Sequence, residues 1–141
     1  MNDPVPPSVP ALPHVDDSLL TYTHIIYALH SLAVLIGLST AHTIIGSFLM
    51  SLPSIVAVIM NYARRSATVG TFLESHFRWQ IRTFWYAALW GVVILGVGGP
   101  LVLVLIGIPL MILGWLALSV WIAYRVIRGW LALRDRRPMY V

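Results

Sequence analysis

The chain of 141 residues contains no cysteine and no lysine. Without cysteine there can be no disulfide, thiolate metal site, iron–sulfur cluster or cysteine nucleophile. Acidic groups are also scarce: the carboxylates are Asp3, Asp16, Asp17, Glu74 and Asp135. Three of them fall in an amino-terminal stretch and one at a helix start, so paired carboxylates for general acid–base work are not expected. Ion-coupled transport usually relies on a carboxylate inside a span, and none is found there. HExxH, GxSxG and P-loop spacings are missing as well. The expectation is a protein that is not an enzyme, with no catalytic residues, no metal and no cofactor. Nucleic acid is not an expected partner either. The amino terminus lacks the basic segment and apolar stretch of a secretory signal, so the first spanning helix is expected to direct insertion.

What is present is apolar. Hydrophobic residues make up 59% of the chain, charged residues only 10%, and the mean hydropathy is +0.84. A soluble domain of this size cannot bury so much apolar surface. A spanning helix needs about 20 apolar residues, which leaves room for a handful of spans and no separate soluble domain. Residues 1–17 hold Pro4, Pro6, Pro7, Pro10 and Pro13 together with three aspartates, the composition of a disordered tail. A transmembrane domain is expected over 18–130, followed by a basic tail over 131–141.

Four spans are predicted, at about 19–38, 43–62, 72–97 and 101–127. Ser39 to His42 separates the first two, and Pro53 sits near the middle of the second, where neighbours such as Ser51 or Ser54 can satisfy the freed carbonyl. Thr71-Phe72-Leu73-Glu74 has capping-box spacing and predicts a helix from Phe72. The Gly96-Val97-Gly98-Gly99-Pro100 stretch is the expected break between the last two spans. Arg64, Arg65, Arg78 and Arg82 cluster at the second connection, and Arg125, Arg128, Arg134, Arg136 and Arg137 at the carboxyl end. With four spans all nine basic residues share one side. Three or five spans would divide the clusters. The reading is an all-α, integral membrane four-helix bundle with both termini cytoplasmic by the positive-inside rule.

The segment Glu74 to Trp85 carries polar residues into an apolar run. Glu74, Arg78 and Arg82 are spaced i, i+4, i+8 with the acid leading, the favourable order for pairing. Phe77, Ile81, Phe84 and Ala88 form a packing stripe. Two readings stand open: the arginines snorkel to lipid phosphates with Trp79 and Trp85 as interfacial anchors, or His76, Arg78, Gln80 and Arg82 line a shared polar site. The candidate binding residues, for lipid headgroup or partner, are therefore His76, Arg78, Trp79, Gln80 and Arg82. His24 and His30 lie about 600° apart around helix one, and His42 belongs to a turn, so converging haem ligands are not expected. Gly107 and Gly114 share a face of helix four and allow close helix approach.

The ESHFRWQIRTFW motif follows an arginine-terminated hairpin and precedes a last helix with Gly107-Ile108-Pro109 and a basic tail. In this the chain resembles small bacterial four-helix membrane proteins of uncharacterised function, distantly similar to the membrane-spanning subunit of the chloroplast inner-envelope protein import machinery. The resemblance covers roughly residues 21–137. It implies a four-helix bundle in the bacterial inner membrane with both termini cytoplasmic and no assigned activity. The partners expected are membrane lipids and either another protein or further copies of the chain. On this footing a structural or accessory subunit is expected, the alternative being a small channel or carrier for lipid or an anionic solute with its mouth on helix three.

Overall fold

The computed structural model describes residues 15–40 and 44–139, and they form four helices. These are α1 (Asp17–Thr40), α2 (Ile44–Arg64), α3 (Phe72–Leu101) and α4 (Gly107–Arg134). A 3-10 turn over Arg65–Thr68 leads from α2 towards α3. The predicted tail lies outside the described residues up to residue 14, as does His42. Among the described residues three helical stretches are long and apolar enough to cross a membrane: Asp17–Ser39, Phe72–Val104 and Gly107–Arg134. The second predicted span matches α2 in position as a helix that continues through Pro53, but α2 is not among those three stretches.

α1 packs along α2 and α3 along α4, and the two hairpins meet mainly through α1 and α4. Their meeting place is the arginine-bearing end. One core cluster there joins Leu19 and Tyr27 of α1 to Leu73 of α3 and to Val126 and Leu133 of α4. A second joins Ile26, Ala57 and Phe77 from α1, α2 and α3. Away from that end, α3 and α4 have few buried residues: Gly91 and Gly98 in α3, Gly107 and Leu118 in α4. Side chains such as Trp90, Val92, Leu95, Ile112 and Leu116 face outward.

The start of α3 falls at Phe72 as the capping-box spacing predicts, but the bonds differ. The Thr71 hydroxyl donates to the Thr68 carbonyl (2.7 Å) instead of capping the helix. Glu74 does reach back, one residue further than expected, where its Oε2 accepts from the Gly70 amide (3.1 Å). α1 begins two residues earlier than predicted because Asp16 caps it, its Oδ1 accepting from the Ser18 amide (2.9 Å).

The break between the last two spans is also displaced. Residues 96–100 are helical, and the chain turns instead through a 3-10 turn at Val102–Val104 and a left-handed Leu105 (φ 61°). The glycines serve packing. A side chain at Gly98 would strike Met111, and one at Gly107 would strike the backbone of Gly98, Leu101 and Val102. A Cβ at Gly114 would lie 3.0 Å from Ile94. Gly107 and Gly114 thus bring α4 against α3 of the same chain.

Nothing lies within 4 Å of a Cβ added at Gly96 or Gly99. Gly107→Ala is therefore expected to lower the melting temperature of the purified protein markedly, since backbone cannot give way. Gly96→Ala should leave it unchanged or raise it, as alanine is favoured over glycine by about 1 kcal/mol within a helix.

Candidate functional site

The polar residues of the arginine-bearing end are organised around His76, which is fully buried. Its Nε2 lies 2.8 Å from the backbone oxygen of Arg137. A carbonyl can only accept, so Nε2 carries a proton, and in the neutral ring Nδ1 is left with a lone pair. The Tyr27 hydroxyl, 3.0 Å from Nδ1, is then the donor. One neutral imidazole therefore ties α1, α3 and the carboxyl-terminal tail together. Tyr27 and Phe72 both meet the His76 ring edge-on, at centroid distances of 6.0 and 5.9 Å.

Two local features bring these groups into register. α4 ends in a Schellman turn: the Arg137 amide donates to Ala132 O and the Arg136 amide to Leu133 O, both at 2.9 Å, with Arg136 left-handed (φ 51°). This folds the tail back over α3, where the Met139 amide donates to Ser75 Oγ (2.9 Å). Asp135 accepts from Arg137 (2.7 Å) and Arg134 (3.2 Å). The Arg137 bond, then the Arg134 bond, holds its carboxyl below the ordinary range. On the other side, a Cβ at Gly129 would lie 2.5 Å from the Tyr27 hydroxyl, so only glycine lets α1 approach α4 here.

Trp79 and Arg125 form a second clasp, between α3 and α4. The Arg125 guanidinium lies 3.5 Å from the Trp79 ring centroid, a cation–π contact strengthened by partial desolvation. Its Nε donates to Thr83 Oγ1 (2.7 Å), and that hydroxyl donates to the Trp79 carbonyl (2.7 Å). Trp79 Nε1 donates in turn to the Arg125 carbonyl (3.2 Å).

The remaining helix pairs are joined in the same way. Tyr22 donates to Met60 O (3.0 Å) between α1 and α2. Trp130 Nε1 donates to His24 Nδ1 (3.0 Å) between α4 and α1. Trp85 Nε1 donates to the Tyr62 hydroxyl (3.1 Å) between α3 and α2. His24 is thereby committed to packing. His30 is buried away from it, with Nε2 unpartnered. Among the described residues no group of three or more His, Asp or Glu could hold a metal ion.

The predicted site residues consequently divide into two sets. His76, Trp79 and Gln80 point into the bundle, while Arg78 and Arg82 are exposed. Arg78 pairs with Glu74 at 2.8 Å, as the i, i+4 spacing predicts. His76, Arg78, Gln80 and Arg82 do not line one site, because residues two apart on a helix are rotated by about 200°. Of the predicted packing stripe, Phe77 is buried, Ile81 and Phe84 are half-buried, and Ala88 is exposed. Gln80 and Asn61 are buried with both side-chain amide atoms unpartnered. Tyr27, Thr83, Arg125 and Gly129 are the important residues that sequence reasoning did not single out. Their one signal is an arginine and a tyrosine placed inside otherwise apolar runs.

No family model, no curated protein and no solved structure matches this chain.

Removing the Tyr27 donor leaves a buried imidazole nitrogen unpaired, which costs about 1–3 kcal/mol. Tyr27→Phe is expected to destabilise the folded protein by that amount in a reversible detergent unfolding titration. In a double-mutant cycle, Tyr27→Phe should have little further effect in a His76→Phe background.

Proposed function

We propose that the chain is a structural or accessory subunit of a larger complex in the bacterial inner membrane. In this reading all four helices span the bilayer and both termini face the cytoplasm. The supporting observation is how the polar side chains at the arginine-bearing end are used. Tyr22, His24, Tyr27, His76, Trp79, Thr83, Trp85, Arg125 and Trp130 each bond across a helix interface or to the groups that do. Such bonds within a membrane fix which helices pack together.

The outward surface supports the same reading. Apolar side chains cover the far halves of α3 and α4, suited to lipid or to the spans of a neighbouring subunit. The basic end suits the cytoplasmic face, where arginine is retained by the positive-inside rule. Arg78 and Arg82 on the outer side of α3 would then reach phosphates from the helix end.

Two measurements test the proposal. Because the chain has no cysteine, single cysteines can be introduced without background. Val104→Cys should react with a membrane-impermeant maleimide added to intact spheroplasts, and Ser66→Cys only after the membrane is opened. The reverse pattern would overturn the orientation. Purification of the tagged chain in mild detergent should yield a particle containing other membrane subunits. A strictly monomeric particle with no co-purifying protein would contradict the accessory role.

A further inference from the structure

Between the end of α4 and the returning tail lies a cavity of about 570 Å³ whose walls include Tyr124, Ile127, Arg128, Leu131, Arg137 and Met139. We infer that this cavity binds one anionic phospholipid, with Arg128 and Arg137 on its phosphodiester and an acyl chain along Ile127 and Leu131. The inference rests on the membrane reading above and goes beyond it by assigning a ligand class and a site.

Both walls of the cavity are held in place before any ligand arrives. Arg128 donates from Nη1 to the Tyr124 hydroxyl (2.9 Å), and its guanidinium lies 5.8 Å from the Trp79 ring centroid. The opposite wall is the tail, pinned where His76 bonds Arg137 O and where the Met139 amide bonds Ser75. Met139 is buried as a result. A preformed site loses less ordering entropy on binding.

The chemistry of the cavity selects the occupant. Arg137 engages Asp135 through one nitrogen, Nη2, and Arg128 engages Tyr124 through one, Nη1. Each guanidinium has five N–H donors, so both keep donors for phosphate oxygens, and arginine matches that geometry in a bidentate way. A soluble anion would have no use for the apolar wall. Ile127 and Leu131 are 59% and 46% exposed on the outward face of α4, about two turns and one turn from the helix end respectively. At that level phosphate and the first methylenes of a lipid are found together. The Arg134 and Arg136 side chains, as exposed as that of Arg137, are outside the cavity lining and raise the local anionic lipid concentration.

The test uses the full chain in nanodiscs of phosphatidylcholine with a minority of phosphatidylglycerol, followed by native mass spectrometry of the lipid retained. The parent should retain one phosphatidylglycerol. Arg128→Gln and Arg137→Gln should each lower retention about fivefold, the worth of one basic contact to an anionic lipid. Arg64→Gln with Arg65→Gln removes two charges from the same end outside the cavity, and should change retention by less than about twofold if the contact is local and the rest screened. Ile127→Trp fills the apolar wall with every charge in place and should also lower retention.

A loss in the Arg64/Arg65 double variant equal to that in either cavity variant would show a diffuse basic surface and overturn the inference. So would displacement of the lipid by inorganic phosphate alone, which would identify a soluble-anion site. Near-ultraviolet circular dichroism confirms that each variant is folded. Failure of the parent to insert into nanodiscs would count against the membrane reading itself, whereas insertion without lipid preference counts only against the cavity.

Discussion

The arrangement of the basic end depends on one imidazole with two different neighbours. His76 donates to a backbone carbonyl from the last residues of the chain and accepts from a tyrosine on the first helix. Those two bonds join sequence positions 61 and 49 residues apart. A carbonyl and a hydroxyl on opposite edges fix both the tautomer and the ring orientation. They also leave neither ring nitrogen free for a ligand. The residue that looks most like a functional histidine by sequence is thus the one that closes the bundle.

From this constraint the rest of the end follows. Tyr27 reaches His76 only because Gly129 allows α1 close to α4, and the Arg137 carbonyl is presented only because α4 ends in a left-handed turn at Arg136. The Trp79–Arg125–Thr83 clasp then holds α3 and α4 side by side one turn further in. Beyond it the hairpin is held by close contact alone, with Gly91 against Trp115, Gly98 against Met111 and Gly114 against Ile94. The division is physically sensible: hydrogen bonds set the helix partners at one end, and small residues set the spacing at the other.

Much of the architecture was legible in the sequence. The apolar run lengths predict four helices, and the start of α3 at Phe72 follows from Thr71 and Glu74 even though the Thr71 hydroxyl turns to Thr68. Gly107 and Gly114 were legible as packing residues. The turn after α3 was not, because Val102 to Ile106 contains no turn-forming residue while the glycines before it are helical. The site was legible in part. His76 and Gln80 stood out, but grouping them with Arg78 and Arg82 ignored a rotation of about 200°. The main partner of His76 could not be read at all, since a backbone carbonyl has no side-chain signature.

The most direct test of this account is the protonation pattern of His76, read by nitrogen-15 NMR of the selectively labelled protein in a lipid environment at neutral pH. The account predicts a neutral ring with the proton on Nε2 and a bare Nδ1 that shifts when Tyr27 is replaced by phenylalanine. A ring protonated at Nδ1, or one whose signals ignore Tyr27 and exchange freely with solvent, would contradict it.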